Sequence, residues 1–155
     1  MRIFISDIKN FKKRGNEMRG NYHLRFSSEE HKAFYLQMLS QSSDDDSYHR
    51  AFFYAMGICE ETRRNINTLF DFKEDGINTD GLSAAWLTGG TRRLCLLAFN
   101  LWNGWTEEGS ERCSTPYDLF DCSFAPYFFE AIRMRYPEYC HDRQQTVSKP
   151  FEHIR

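Results

Sequence analysis

Nine consecutive residues do most to restrict what this chain can fold into: Leu94-Cys95-Leu96-Leu97-Ala98-Phe99-Asn100-Leu101-Trp102, apolar at eight of the nine positions. A helix written this way has no polar stripe to turn toward water, so other elements must surround it. Thr91 is expected to cap it and Asn103-Gly104 to stop it, which places a central helix at about 91–103. Each Leu or Phe buried there contributes roughly 1.5–3 kcal/mol, so the segment should dominate the hydrophobic stabilisation. Asn100 is its polar interruption, and a buried amide needs partners. The expected role is a structural hydrogen bond to a neighbouring helix end that fixes register, with ligand binding as the alternative.

The flanking sequence supplies the helices that do the surrounding. Ser27-Ser28-Glu29-Glu30 reads as a capping box with Ser27 as the cap, followed by an apolar face of Phe34, Tyr35, Met38 and Leu39. After a polar loop from Gln41 to Asp46, Asp46 or Ser47 can cap a second, buried helix through Met56, with Gly57 as its stop. A third helix is expected from about Glu60 to Phe70, weakened by Asn65 and Asn67. Asp71 to Gly81 is turn-rich, a short helix follows around Leu82 to Leu87, and Gly89-Gly90 interrupts it. Thr115-Pro116-Tyr117-Asp118 starts a short helix to Cys122. Ser123 can cap the last helix, which Pro137 ends and whose buried side is Phe128, Phe129, Ile132 and Tyr136. The expected fold is all-α, a compact bundle of about five to seven helices around the central one.

A chain of 155 residues suits one hydrophobic core. The organisation expected is a flexible basic leader over 1–20, a single helical domain over 21–139 and a loose polar tail over 140–155. Aromatic residues make up 16% of the chain, which supplies a core rich in large rings and excludes wholesale disorder. The net charge of −2 conceals an asymmetry. Residues 1–17 carry five basic and two acidic side chains, so from Met18 onward 15 basic stand against 20 acidic groups, a balance of −5. An acidic domain disfavours nucleic-acid binding and anionic membranes. Five cysteines without a CxxC pair or a secretory signal read as free cytosolic thiols, and no run reaches the about 18 apolar residues of a membrane span. A cytoplasmic location is expected.

Lys13-Arg14-Gly15 can be encoded by a purine-rich string resembling a bacterial ribosome-binding site, a short distance upstream of the Met18 codon. Translation is therefore expected to start at Met18, with a mobile basic arm at residues 1–17 as the alternative.

Among segments that can carry chemistry, Thr88-Gly89-Gly90-Thr91-Arg92-Arg93 stands out. Glycines ahead of a helix free backbone amides to converge, and the hydroxyls and guanidinium groups complete an anion site. The spacing and lysine of a P-loop are missing and no strand precedes it, so nucleotide hydrolysis is not supported. The plainer reading is that the glycines let helices pack closely and the arginines pair with the domain's excess acid. Asp71, Asp75, Gly76 and Asn78 are similar to a calcium loop, but Lys73 and Leu82 occupy ligand positions. Asp44-Asp45-Asp46 reads as a solvated loop. Cys113, Cys122, Cys140 and His141 match no zinc spacing, and Cys95 reads as a core residue. His31 and His49 read as surface or capped histidines. No catalytic set, metal or cofactor emerges.

Trp86-Leu87-Thr88-Gly89-Gly90-Thr91-Arg92, followed by Leu97-Ala98-Phe99-Asn100-Leu101-Trp102-Asn103-Gly104, resembles a bacterial domain-of-unknown-function family. Leu119-Phe120-Asp121 and Ala131-Ile132-Arg133-Met134-Arg135-Tyr136-Pro137 extend the match, which spans about Phe26 to Tyr139. The resemblance implies a small single-domain protein of Gram-positive bacteria and their mobile elements. It carries no activity. The function expected is that of a non-enzymatic accessory protein whose acidic, aromatic-rich surface binds a protein partner, a basic host or mobile-element factor. The alternative is a phosphate- or nucleotide-responsive domain using Thr88–Arg93.

Overall fold

The computed structural model describes residues 23–140. The leader over 1–20, the start at Met18 and the tail from residue 141 lie outside the described residues. The described residues form an all-α bundle: seven α-helices, two short 3-10 turns and one small hairpin. None of these helices is long and apolar enough to cross a membrane.

The first helix, α1 (Glu29–Gln41), is capped by Ser28, whose hydroxyl accepts from the His31 amide at 3.2 Å. The cap therefore falls one residue later than expected. Ser27 is taken up by tertiary bonds instead, its hydroxyl donating to the Ile58 carbonyl at 3.2 Å. Helix α2 (Ser47–Gly57) is capped by Asp46, which accepts from the Tyr48 and His49 amides at 2.9 Å each. It ends at Gly57, where α1 comes close: a Cβ there would overlap the His31 ring and sit 3.2 Å from Phe34.

The expected third helix is broken into α3 (Glu60–Arg64) and α4 (Ile66–Leu69). Asn65 stands at the break and turns its amide back to the Glu61 carbonyl at 2.8 Å, the local competition with helix bonding that Asn offers. The connection that follows contains an antiparallel hairpin, β1 (Phe70–Asp71) and β2 (Gly76–Ile77), pairing Phe70 with Ile77 and Asp71 with Gly76. The helix expected over Leu82–Leu87 is instead a 3-10 turn over Thr79–Ser83, because the Asn78 side chain caps it early by accepting from the Asp80 amide at 3.2 Å.

The apolar run lies in α5 (Gly89–Asn103). Thr88, not Thr91, is its N-cap. The Thr88 amide donates to Thr91 Oγ1 at 2.6 Å and the Thr91 amide to Thr88 Oγ1 at 3.3 Å, so the glycines open the helix rather than interrupt what precedes it. Gly104, at φ 79°, ends it. Leu94 through Phe99 are all buried, as a helix without a polar stripe requires.

Helix α5 shares the centre with α2, which packs against α1, α5 and the last helix, α7 (Ala125–Arg135). Ala51 through Met56 are fully buried. Between α2 and α5 the core is aromatic: the Phe52 ring lies 5.1 Å from Phe70 and 6.2 Å from Phe99, and Phe53 stacks on Phe72 at 5.9 Å.

The short α6 (Pro116–Leu119) stops before Cys122, with the Thr115 hydroxyl turned back to the Arg112 carbonyl. Phe124 rather than Ser123 precedes α7, and no side chain caps it. The buried side of α7 is Phe128, Ala131 and Met134; Phe129 and Tyr136, expected inside, are exposed. Neighbouring positions of a helix point about 100° apart, so Phe128 and Phe129 cannot both face α2.

Candidate functional site

The two hydroxyls of the Thr88–Arg93 segment bind within the segment. Thr88 and Thr91 satisfy each other across the cap, and Thr91 is buried. Gly90 lies against Phe124, where a Cβ would come 3.4 Å from the ring. Arg92 and Arg93 diverge. Arg92 donates to both carboxylate oxygens of Glu107 at 2.6 Å and to the Leu82 carbonyl at 3.0 Å, which ties the loop after α5 and the 3-10 turn to the start of the helix. Arg93 Nε donates to the Asp118 carbonyl at 2.8 Å and its terminal nitrogen approaches Asp121 at 3.4 Å. An anion at this helix start competes with carboxylates already in place.

The consequence of Arg93 and Gly90 is mechanical: they hold the stretch from α6 to Phe124 against the start of α5. Beside that stretch, rings of α6 and α7 reach into solvent. Tyr117 is 89% exposed and Phe129 60% exposed, while the half-buried Phe120 joins Phe129 at 5.2 Å to the core ring Phe128 at 5.4 Å. Pro116, Tyr117, Phe120 and Asp121 line an open depression of about 490 Å³. Sequence reasoning missed this surface by assigning Phe129 to the core; the adjacency of Phe128 and Phe129 was the available signal.

Asn100 is half-buried and donates to the Trp105 carbonyl at 3.4 Å, so it holds the chain leaving its own helix. Asp45, expected in a solvated loop, accepts from Arg50 Nε at 2.7 Å, and Asp46 caps α2, the role expected of it or Ser47. His31 and His49, expected as surface or capped side chains, are both buried. His31 is clipped between Ser27 and Tyr54, and His49 lies between Asp46 and Asp75. Among the described residues no three His, Cys, Asp or Glu side chains gather as metal ligands. All five cysteines are free, and burial pushes the Cys95 thiol up to about 12, which keeps it protonated and unreactive.

No curated protein and no solved structure matches the chain. The family model of DUF6075, a family of unknown function, matches residues 21–148. The match covers most of the sequence and the whole of the bundle described above, including the Gly-Arg segment and the aromatic surface it supports, so the chain belongs to the DUF6075 family.

Proposed function

We propose that this protein is a non-enzymatic binding module that docks a protein partner on the Tyr117–Phe120–Phe129 surface. The observation that carries the reading is the exposure of two large rings that share Phe120 as a neighbour: Tyr117 lines the same depression as Phe120, and Phe129 lies against Phe120, which reaches the core ring Phe128. Clustered rings in water are a cost to a monomer and an anchor for a partner. Asp121 lines the depression with Tyr117 and Phe120, and the chain from Met18 onward is acidic, so the partner expected is a basic protein surface. The free thiols support a reducing compartment, the cytoplasm. On the same reading the partner is a host or mobile-element factor.

The test is capture of partners from native lysate by the tagged protein, read by mass spectrometry beside the double variant Tyr117→Ala, Phe129→Ala. Both side chains are exposed, so the variant should keep its stability within about 0.5 kcal/mol while losing the partner. Retention should weaken as salt rises. A partner retained by the double variant, or one indifferent to salt, overturns the reading.

The alternative, an anion-responsive domain, rests on the first turn of α5 with Gly89, Gly90, Arg92 and Arg93. It predicts thermal stabilisation by inorganic phosphate or nucleotides, about 2.7 kcal/mol at ~100 times the dissociation constant. Arg92 and Arg93 have to leave Glu107 and Asp121 for that to occur.

A further inference from the structure

His49 opens α2 with both ring nitrogens against carboxylates. Nδ1 lies 2.8 Å from Asp46 Oδ1, and Nε2 lies 3.0 and 3.2 Å from the two oxygens of Asp75. An ionised carboxylate only accepts, so both contacts are hydrogen bonds only when each ring nitrogen carries a proton. A neutral imidazole has one N–H, and its other nitrogen would then face a carboxylate lone pair to lone pair.

The two carboxylates are not equally secured. Asp46 sits three residues away on the same chain and is also held by two backbone amides of the cap. Asp75 lies at the tip of the β1–β2 hairpin, in the left-handed region at φ 53°, where its other partner is the Ser43 hydroxyl at 2.9 Å. A deprotonated ring keeps the Asp46 bond and gives up the tip.

We propose that protonated His49 is a latch that holds the β1–β2 hairpin tip on the start of α2, and that loss of its proton as pH rises releases the tip. The Phe72 ring, stacked on Phe53, moves with it. On the helix of His49 itself stand Asp46, the Asp45–Arg50 pair and Tyr48, over which Arg135 of α7 is placed at 3.8 Å. The hairpin contributes Asp75, flanked by Glu74 and Lys73; α5 contributes Trp102, edge-on at 4.9 Å and without charge. Burial works against the cation, but the bonds and charges of Asp75 and Asp46 outweigh it and raise His49 above its ordinary range. A raised folded value means that the latch is complete below the ordinary histidine value and is lost as pH rises through the folded one.

The experiment is hydrogen exchange of the full chain, read on peptides covering residues 70–78 and, as an internal reference, on α2, from pH 6 to 9 after correction for intrinsic exchange. His49 is followed in parallel by its imidazole NMR resonances. Protection of the hairpin relative to α2 should drop in one step centred on the His49 titration, by about tenfold for each pH unit by which that titration lies above the ordinary value. Asp75→Asn should lower hairpin protection at pH 6, abolish the step and bring the His49 titration down, with α2 protection retained. His49→Gln removes the titration itself and should abolish the step; if that variant does not fold, Asp75→Asn decides alone. A wild-type hairpin with no step between pH 6 and 9, or a step that survives Asp75→Asn, overturns the latch.

Discussion

Two histidines of this bundle are equally hidden, and their surroundings push their charge in opposite directions. His31 is 0% and His49 3% exposed. Around His31 the partners are uncharged: the Ser27 amide donates to Nδ1 at 3.1 Å, leaving Nε2–H to donate to the Tyr54 carbonyl at 2.8 Å. Phe26 and Tyr54 close the site with rings at 5.0 and 4.6 Å. Burial there depresses the ring to about 4, with the Arg63 charge acting in the same direction. Around His49 the acceptors are two carboxylates, and they outweigh the cost of burial. Burial sets the cost of charge; the partners decide whether it is met.

The comparison breaks most forcibly at His31. Replacing it by Ala removes a buried ring and leaves the Ser27 amide and Tyr54 carbonyl without their bonds, so about 3–4 kcal/mol should be lost in urea denaturation. Gly57→Ala drives a methyl into the same ring and should cost about 1–3 kcal/mol.

Acid separates the two sites next. With a depressed folded value, the stability that His31 carries is present above its unfolded value of 6.5 and is lost as pH falls through about 4. The loss should be on the order of 3 kcal/mol, seen as the difference between wild type and His31→Gln in denaturation at pH 7 and pH 4. His49, raised where His31 is depressed, gains rather than loses stability as pH falls and should add nothing to the acid loss. A His49→Gln variant that flattened the acid limb as His31→Gln does would invert the assignment of the two charge states.

The smallest effect lies on the alkaline side. Asp75 is about a third exposed and Asp46 about half, so solvent screens the pairs. Asp75→Asn should cost no more than about 1 kcal/mol at pH 6 and nothing measurable at pH 9, read by the same denaturation.

Much of the scaffold is legible in the sequence. The run from Leu94 to Trp102 announced a surrounded helix, and Asp46, Gly104 and Pro137 marked ends that the chain uses. The errors share a cause. Ser27 and Ser28, like Thr88 and Thr91, are locally equivalent caps, and hydrogen bonds from elsewhere in the chain or from the adjacent turn chose between them. The candidate surface was half legible: the Gly-Arg segment was conspicuous, but its service to the aromatic surface through Arg93 and Asp118 joins residues 25 apart, and no local pattern encodes that.

What the sequence determined by itself is the all-α class, the position of the apolar helix and the acid excess, because each follows from periodicity or counting along a contiguous stretch. Tertiary structure alone decided which rings remain in water, which arginine holds which loop and which histidine is charged. Those are properties of contacts between distant residues: Phe129 is exposed because Phe128 takes the place against α2, and His49 is cationic because Asp75 arrives from a hairpin 26 residues away. A side chain's charge and exposure are set by the partners that folding brings to it, and residue type only bounds the choice.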